Sequence, residues 1–119
     1  MIKGKLKTNI VTRNILDLVH KFPDGNYSFF IEKEGENYFY IIEEVLEENS
    51  NRTPNEFKIR LEIVETKEND KPVFKTFVKV DTNIKNILNN LSTEEKTNII
   101  KDVKSIVDDI KAGLPVYNE

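Results

Sequence analysis

Adjacent carboxylate pairs at Glu43-Glu44 and Glu47-Glu48, and the single histidine, His20, are among the residues of this 119-residue chain whose types lend themselves to acid–base chemistry. Such catalysis needs two titratable groups that converge on one substrate atom. Successive residues of a strand point to opposite faces, so neither pair converges within the extended, aromatic-rich segment that carries them. Glu43 with Glu47 could flank a cation at a strand end, but no histidine and no run of alternating Asp or Asn ligands accompanies them, and solvated negative charge is the expectation. His20 falls on the helix row of Arg13 and Asp17, away from an apolar stripe, with no nucleophile beside it. The chain has no cysteine, which excludes disulfides, thiolate zinc sites and cysteine nucleophiles together. No GxSxG, Walker A, GxGxxG, HExxH or EF-hand pattern occurs, and Gly4, Gly25, Gly35 and Gly113 all fall where turns, termini or caps use glycine. The chain is therefore expected to be no enzyme and to hold no cofactor and no metal.

Charge placement is the more informative property. Eighteen basic against 21 acidic residues give a net charge of -3, which excludes the whole-chain basicity of a DNA-coating protein. Residues 1–21 nevertheless hold five basic residues against one acidic, whereas residues 22–48 hold one against eight. The acidic set Glu34, Glu36, Glu43, Glu44, Glu47 and Glu48 is the expected partner-binding surface. Its field would steer a protein with a basic surface, or imitate phosphates on a partner's nucleic-acid-binding surface. The alternative set is Lys58, Arg60, Lys75, Phe77 and Lys79, cations interleaved with a ring on one sheet face. A single-stranded nucleic acid needs that chemistry, because cations track phosphates while a ring stacks on a base.

The elements that must carry these residues are legible from periodicity. A hydrophobic fraction of 38% with 33% charged residues suits one α+β domain over residues 1–119 with a single core. Ile15, Leu18, Val19 and Phe22 recur at helical steps after Thr12, a suitable N-cap, and Pro23-Asp24-Gly25 stops the helix. Residues 27–33 and 37–46 read as a hairpin closed at Glu34-Gly35-Glu36, and Phe57, Ile59, Leu61 and Ile63 alternate with charged residues in the cleanest strand. A strand over 72–80 follows the turn at 67–71, with Pro72 at its first position. Ile2, Gly4 and Leu6 alternate with lysines, which suits either a short edge strand or a frayed tail. Asp81 or Thr82 can cap a short helix with Ile84, Ile87, Leu88 and Leu91. Ser92 and Glu95 form a capping box for a longer one that ends at Gly113, with Leu114 placed to pack against it. The expected fold is a four-stranded antiparallel meander sheet with an N-terminal helix and two C-terminal helices packed mainly on one face.

The order of helix, strands and helix is similar to a double-stranded RNA-binding domain, but the basic, glycine-led start of that family's last helix has no counterpart at 81–85 or 92–96. The run from Tyr27 to Glu44, within four strands that precede a helix, resembles a PUR repeat. That resemblance covers about half the chain and implies single-stranded nucleic-acid binding with dimerisation. The residues themselves favour a small non-catalytic protein-binding module, an adaptor or an immunity- or phage-type inhibitor, acting through the acidic hairpin. No apolar run is long enough to span a bilayer, and no apolar stretch follows the basic N-terminus, so the expected location is the cytoplasm with no membrane partner. Exposed first and last strands are compatible with a homodimer.

Overall fold

The computed structural model describes residues 2–84, 87–114 and 116; side chains are described for these except at 2, 3, 8, 62–64, 76–78 and 88. Five strands form one antiparallel meander: β1 (Ile2–Lys5), β2 (Asn26–Glu34), β3 (Asn37–Val45), β4 (Glu56–Glu68) and β5 (Lys71–Thr82). Two helices, α1 (Arg13–Val19) and α2 (Thr93–Lys111), cover one face of it. Among the described residues the sheet has one strand more and the helical layer one α-helix fewer than the sequence leads one to expect.

The additional strand is the lysine-rich N-terminus, which runs beside β2 with Gly4 opposite Ile31 and Lys5 opposite Phe30. An apolar anchor just beyond it fixes this arrangement: Leu6 is buried and its N–H donates to the Phe29 carbonyl at 2.9 Å. The residues that lead into the expected short helix are held by distant parts of the chain. Asn83 ties its side chain to β4 and the loop before it, and Thr82 shares its hydroxyl between β4 and the Ile84 N–H, from which Oγ1 accepts at 3.0 Å in the manner of a cap. Asn83 Oδ1 accepts from the Glu56 N–H at 2.6 Å, its Nδ2 donates to the Pro54 carbonyl at 2.8 Å, and Thr82 Oγ1 donates to the Glu56 carbonyl at 3.0 Å. The chain stays extended to Thr82 and forms a 3-10 turn at Leu88–Asn90 before α2, while residues 85 and 86 of the expected short helix lie outside the described residues.

The caps follow the sequence. Thr12 Oγ1 accepts from the Ile15 N–H, and Ser92 and Glu95 bond each other's backbone N–H reciprocally. Gly113, at φ 79°, closes α2 with its N–H on the Ile110 carbonyl while the Leu114 N–H reaches Asp109. Leu114 itself does not pack as expected; it is exposed, and Val116 is buried instead, its carbonyl accepting from the Lys7 N–H at 2.9 Å. The C-terminal segment therefore returns to the N-terminal one.

The core lies between the helices and the sheet face that carries Ile31, Tyr40, Ile42, Phe57 and Ile59, with Ile15, Leu18, Val103 and Ile106 opposite. At its centre the fully buried Tyr40 hydroxyl has no hydrogen-bond partner among the described residues. Burial, then the charge of Asp102, pushes its ionisation well above the ordinary phenol range. Asp102 itself accepts from Asn14 Nδ2 at 2.7 Å, joining α2 to α1. Tyr40→Phe removes a desolvated hydroxyl without changing the ring, so it is expected to stabilise the fold by about 1 kcal/mol. Thermal denaturation checks this, and a lowered Tm would show that the hydroxyl is bonded.

β3 stops pairing with β4 at Leu61, opposite Tyr38, but β4 and β5 continue together to a two-residue turn at Asn69 and Asp70. Both turn residues have positive φ, 51° and 63°, the geometry of the tight hairpin turn that Asn and Asp tolerate. About seven residues of ribbon, roughly 20 Å at strand rise, thus project past the five-stranded body. The end of α2 already lies at the base of this arm, where Lys111 Nζ sits 5.4 Å from the Tyr38 ring centroid. Phe74 on the arm is 69% exposed.

Candidate functional site

Along β3, Tyr38, Tyr40, Ile42 and Glu44 alternate onto the helix-covered side, and the last of them is a carboxylate only 4% exposed. A buried carboxylate has to be bonded and neutralised. Arg52 does both with a two-pronged contact, Nη1 donating to Oε1 at 2.6 Å and Nη2 donating to Oε2. The Asn55 N–H donates to Oε1 at 3.1 Å, and the Glu44 N–H donates to the Asn55 carbonyl at 2.8 Å. Gly25 makes room on the other side, since a Cβ there would lie 3.0 Å from Oε2. The Arg52 hydrogen bonds, followed by that of the Asn55 N–H, hold the Glu44 pKa down at about 2.

This arrangement orders the loop from 46 to 55. Its only cation, Arg52, is committed inward, a Ser50 N–H to Glu47 carbonyl bond of 3.0 Å folds the middle, and Asn83 holds Pro54. Glu47 and Glu48 are left exposed on a loop of defined shape, beside exposed Asp24 and the 55% exposed Val45. A hollow of about 300 Å³ opens there, with Asp24, Glu47, Ser50 and Arg52 on its walls.

The six glutamates of the expected acidic surface are not one patch. Glu34 and Glu36 flank the β2–β3 turn, whereas Glu43, Glu44, Glu47 and Glu48 lie at the opposite end of β3, about 25 Å away at strand rise. Glu44 is buried and serves the loop rather than its surface. Glu43 points to the uncovered face, opposite Glu56. Tyr27, opposite Glu44, donates its hydroxyl to the Pro23 carbonyl at 2.9 Å, and burial raises its pKa.

The alternative basic set does share one side of the sheet. Arg60 pairs with Lys79, Lys58 with Asp81, and Lys75 with Val64, all at positions facing away from the helices. Lys58 lies 3.6 Å from Glu56 and Lys75 lies 2.8 Å from Glu68, so part of this positive charge is matched within the chain. The Phe77 side chain is outside the described residues. Three residues that sequence reasoning left out also occupy this face: Phe30 and Phe39, both half-buried, and Ile41, which is 1% exposed although no helix covers it. The signal for Phe39 and Ile41 was present in the unbroken apolar run from Tyr38 to Ile42, which a strand solvated on one face does not need.

No family model, curated protein or solved structure matches this chain. Among the described residues no helix is long and apolar enough to cross a membrane, and no three His, Cys, Asp or Glu side chains group as metal ligands.

Proposed function

We propose that the chain is a cytoplasmic, non-catalytic protein-binding module whose engaged surface is the acidic 46–55 loop rather than the whole first hairpin. The observation that carries this reading is the clamp of Glu44 by Arg52 and the Asn55 N–H. Only the carboxylate of this ion pair is buried, the Arg52 side chain being 56% exposed, and the desolvation of Glu44 offsets part of the attraction. The pair does restrict a loop to one shape, which lowers the ordering cost of association. The loop so restricted displays Glu47 and Glu48, which suit a basic protein surface of the kind an adaptor or inhibitor captures.

The expected result is that immobilised wild-type protein retains a protein from nuclease-treated host lysate, that rising salt releases it, and that Glu47→Lys with Glu48→Lys abolishes retention. Equal retention by the charge-reversed variant, or loss of retention on nuclease treatment, would overturn this reading.

A second reading, single-stranded nucleic-acid binding, is favoured by Phe30 and Phe39 lying on the same sheet face as Lys58, Arg60 and Lys79. Against it, Glu32, Glu43, Glu56 and Asp81 stand on that face too. It requires affinity for an unstructured oligonucleotide that falls steeply with salt, and the nuclease arm of the lysate experiment separates it from the first.

A further inference from the structure

β5 is the last strand of the sheet and presents an unshared edge twelve residues long, against four at β1. The two-residue turn sets its hydrogen-bonding phase. Glu68 and Lys71 flank the turn and exchange bonds, so the odd-numbered residues of β5 bond inward to β4. The even-numbered residues Phe74, Thr76, Val78 and Val80 therefore turn their backbone N–H and C=O groups outward. Pro72 occupies one of these outward positions, where its missing N–H costs the β4–β5 ladder nothing. Among the described residues no other element hydrogen-bonds this edge. An edge of this length is a template for another strand unless something opposes pairing.

Lysines oppose it in some registers only. They stand at 71, 75 and 79, four apart. If two copies of β5 pair antiparallel about a two-fold axis, a centre at 73, 75 or 77 sets lysine against lysine. A centre at any even-numbered residue never does, because the lysines are all odd-numbered and spaced by four. Of these, a centre at Thr76 uses nearly the whole strand, and it sets Lys71 opposite Asp81 of the second copy, twice by symmetry. Opposite charges facing each other across strands stabilise a pair, and like charges destabilise it by a similar amount. The same register sets the exposed Phe74 beside a neighbouring strand instead of open solvent. About eight inter-chain backbone hydrogen bonds result, one fewer at each end because of Pro72.

We propose that this chain forms a two-fold homodimer by antiparallel pairing of β5 with β5 of a second copy, centred on Thr76 with Lys71 facing Asp81. The 46–55 loop takes no part in this interface, so it stands apart from the reading above.

Size-exclusion chromatography with light scattering on the full chain tests it. The wild type should run at twice the chain mass, and Lys71→Asp or Asp81→Lys alone should weaken the dimer about tenfold or more. The double variant Lys71→Asp with Asp81→Lys should restore it, since it exchanges the charges without repeating either. Thr76→Pro, which imitates Pro72 at the centre of the ladder, should give a monomer with an unchanged circular dichroism spectrum. Both charged positions are exposed, so the single and double variants fold whether or not Thr76→Pro does. A wild type that stays monomeric at about millimolar concentration, a dimer indifferent to the single charge changes, or a double variant as weak as the singles would overturn the proposal.

Discussion

Phe57→Ala is expected to cost about 3–5 kcal/mol and to lower Tm by roughly 10–20 °C, the largest single effect on stability in this chain. Phe57 is 2% exposed in β4, between Ile42 of β3 and Thr82 of β5. Its ring lies 5.7 Å from that of Phe22, which meets the Tyr27 ring edge-on at 5.3 Å. This one side chain therefore fills the space between the sheet and the segment that leaves α1. Deleting it forfeits the transfer of a large apolar group and leaves a hole whose strand-bound walls move little. Because a domain of this size is stable by only about 5–15 kcal/mol, the variant should approach the unfolded state at physiological temperature. Urea denaturation measures the loss, and Phe57→Leu should retain much of it. A loss below about 1 kcal/mol for the alanine variant would show that the core closes around the gap.

The second large effect is on pH dependence. Glu44 titrates at about 2 in the folded protein against an ordinary value of 4.5, so the unfolded chain binds more protons between those limits. The stability that this carboxylate contributes is full above the ordinary range and is lost as pH falls through 4.5 towards 2. Arg52→Ala removes the guanidinium that contributes most to the depression. It should lower Tm at neutral pH, flatten the decline between pH 5 and 2, and speed amide exchange across residues 46–55. Glu44→Gln should flatten the same decline while keeping part of the loop's hydrogen bonding. Wild-type and Arg52→Ala melting curves that stay parallel across this pH range would remove Arg52 as the group that holds the carboxylate ionised.

Neither effect follows from composition, yet much of the scaffold beneath them does. Thr12, the Ser92 and Glu95 pair and Gly113 were readable as helix ends because a cap is satisfied within three or four residues of chain. Phe57, Ile59 and Leu61 were readable as the buried side of β4 because they alternate strictly with Lys58, Arg60 and Glu62. β3 was not readable in this way. Its run from Tyr38 to Ile42 is apolar on both sides, so alternation does not choose a face, and the register with β2 and β4 does. Where a short helix carrying Ile84, Ile87, Leu88 and Leu91 is expected, the described residues form a 3-10 turn at Leu88–Asn90. Thr82, one of its expected caps, bonds the Ile84 N–H but also the Glu56 carbonyl, and Asn83 bonds Pro54 and Glu56, partners nearly thirty positions away that no local pattern contains.

The sequence by itself determined the α+β class, the antiparallel order of β2 to β5, the N-caps of both helices with the end of α2, and the exclusion of cysteine chemistry, because each depends on residue type or on neighbours within one turn or one hairpin; α1 instead ends at Val19, three residues before the expected Phe22. Only the tertiary structure decided which charges are surface and which are structural. Six glutamates that read as one acidic hairpin became a buried clamp at Glu44, a presented pair at Glu47 and Glu48, Glu43 on the uncovered sheet face, and a separate pair at the far turn. The physical reason is how long each strand runs and where its pairing stops. β3 is nine residues long and β4 thirteen, so the ends of the hairpin stand far apart and the β4–β5 ribbon outruns its neighbours. Lengths of that kind are set where distant segments stop finding partners, which is a property of the assembled sheet.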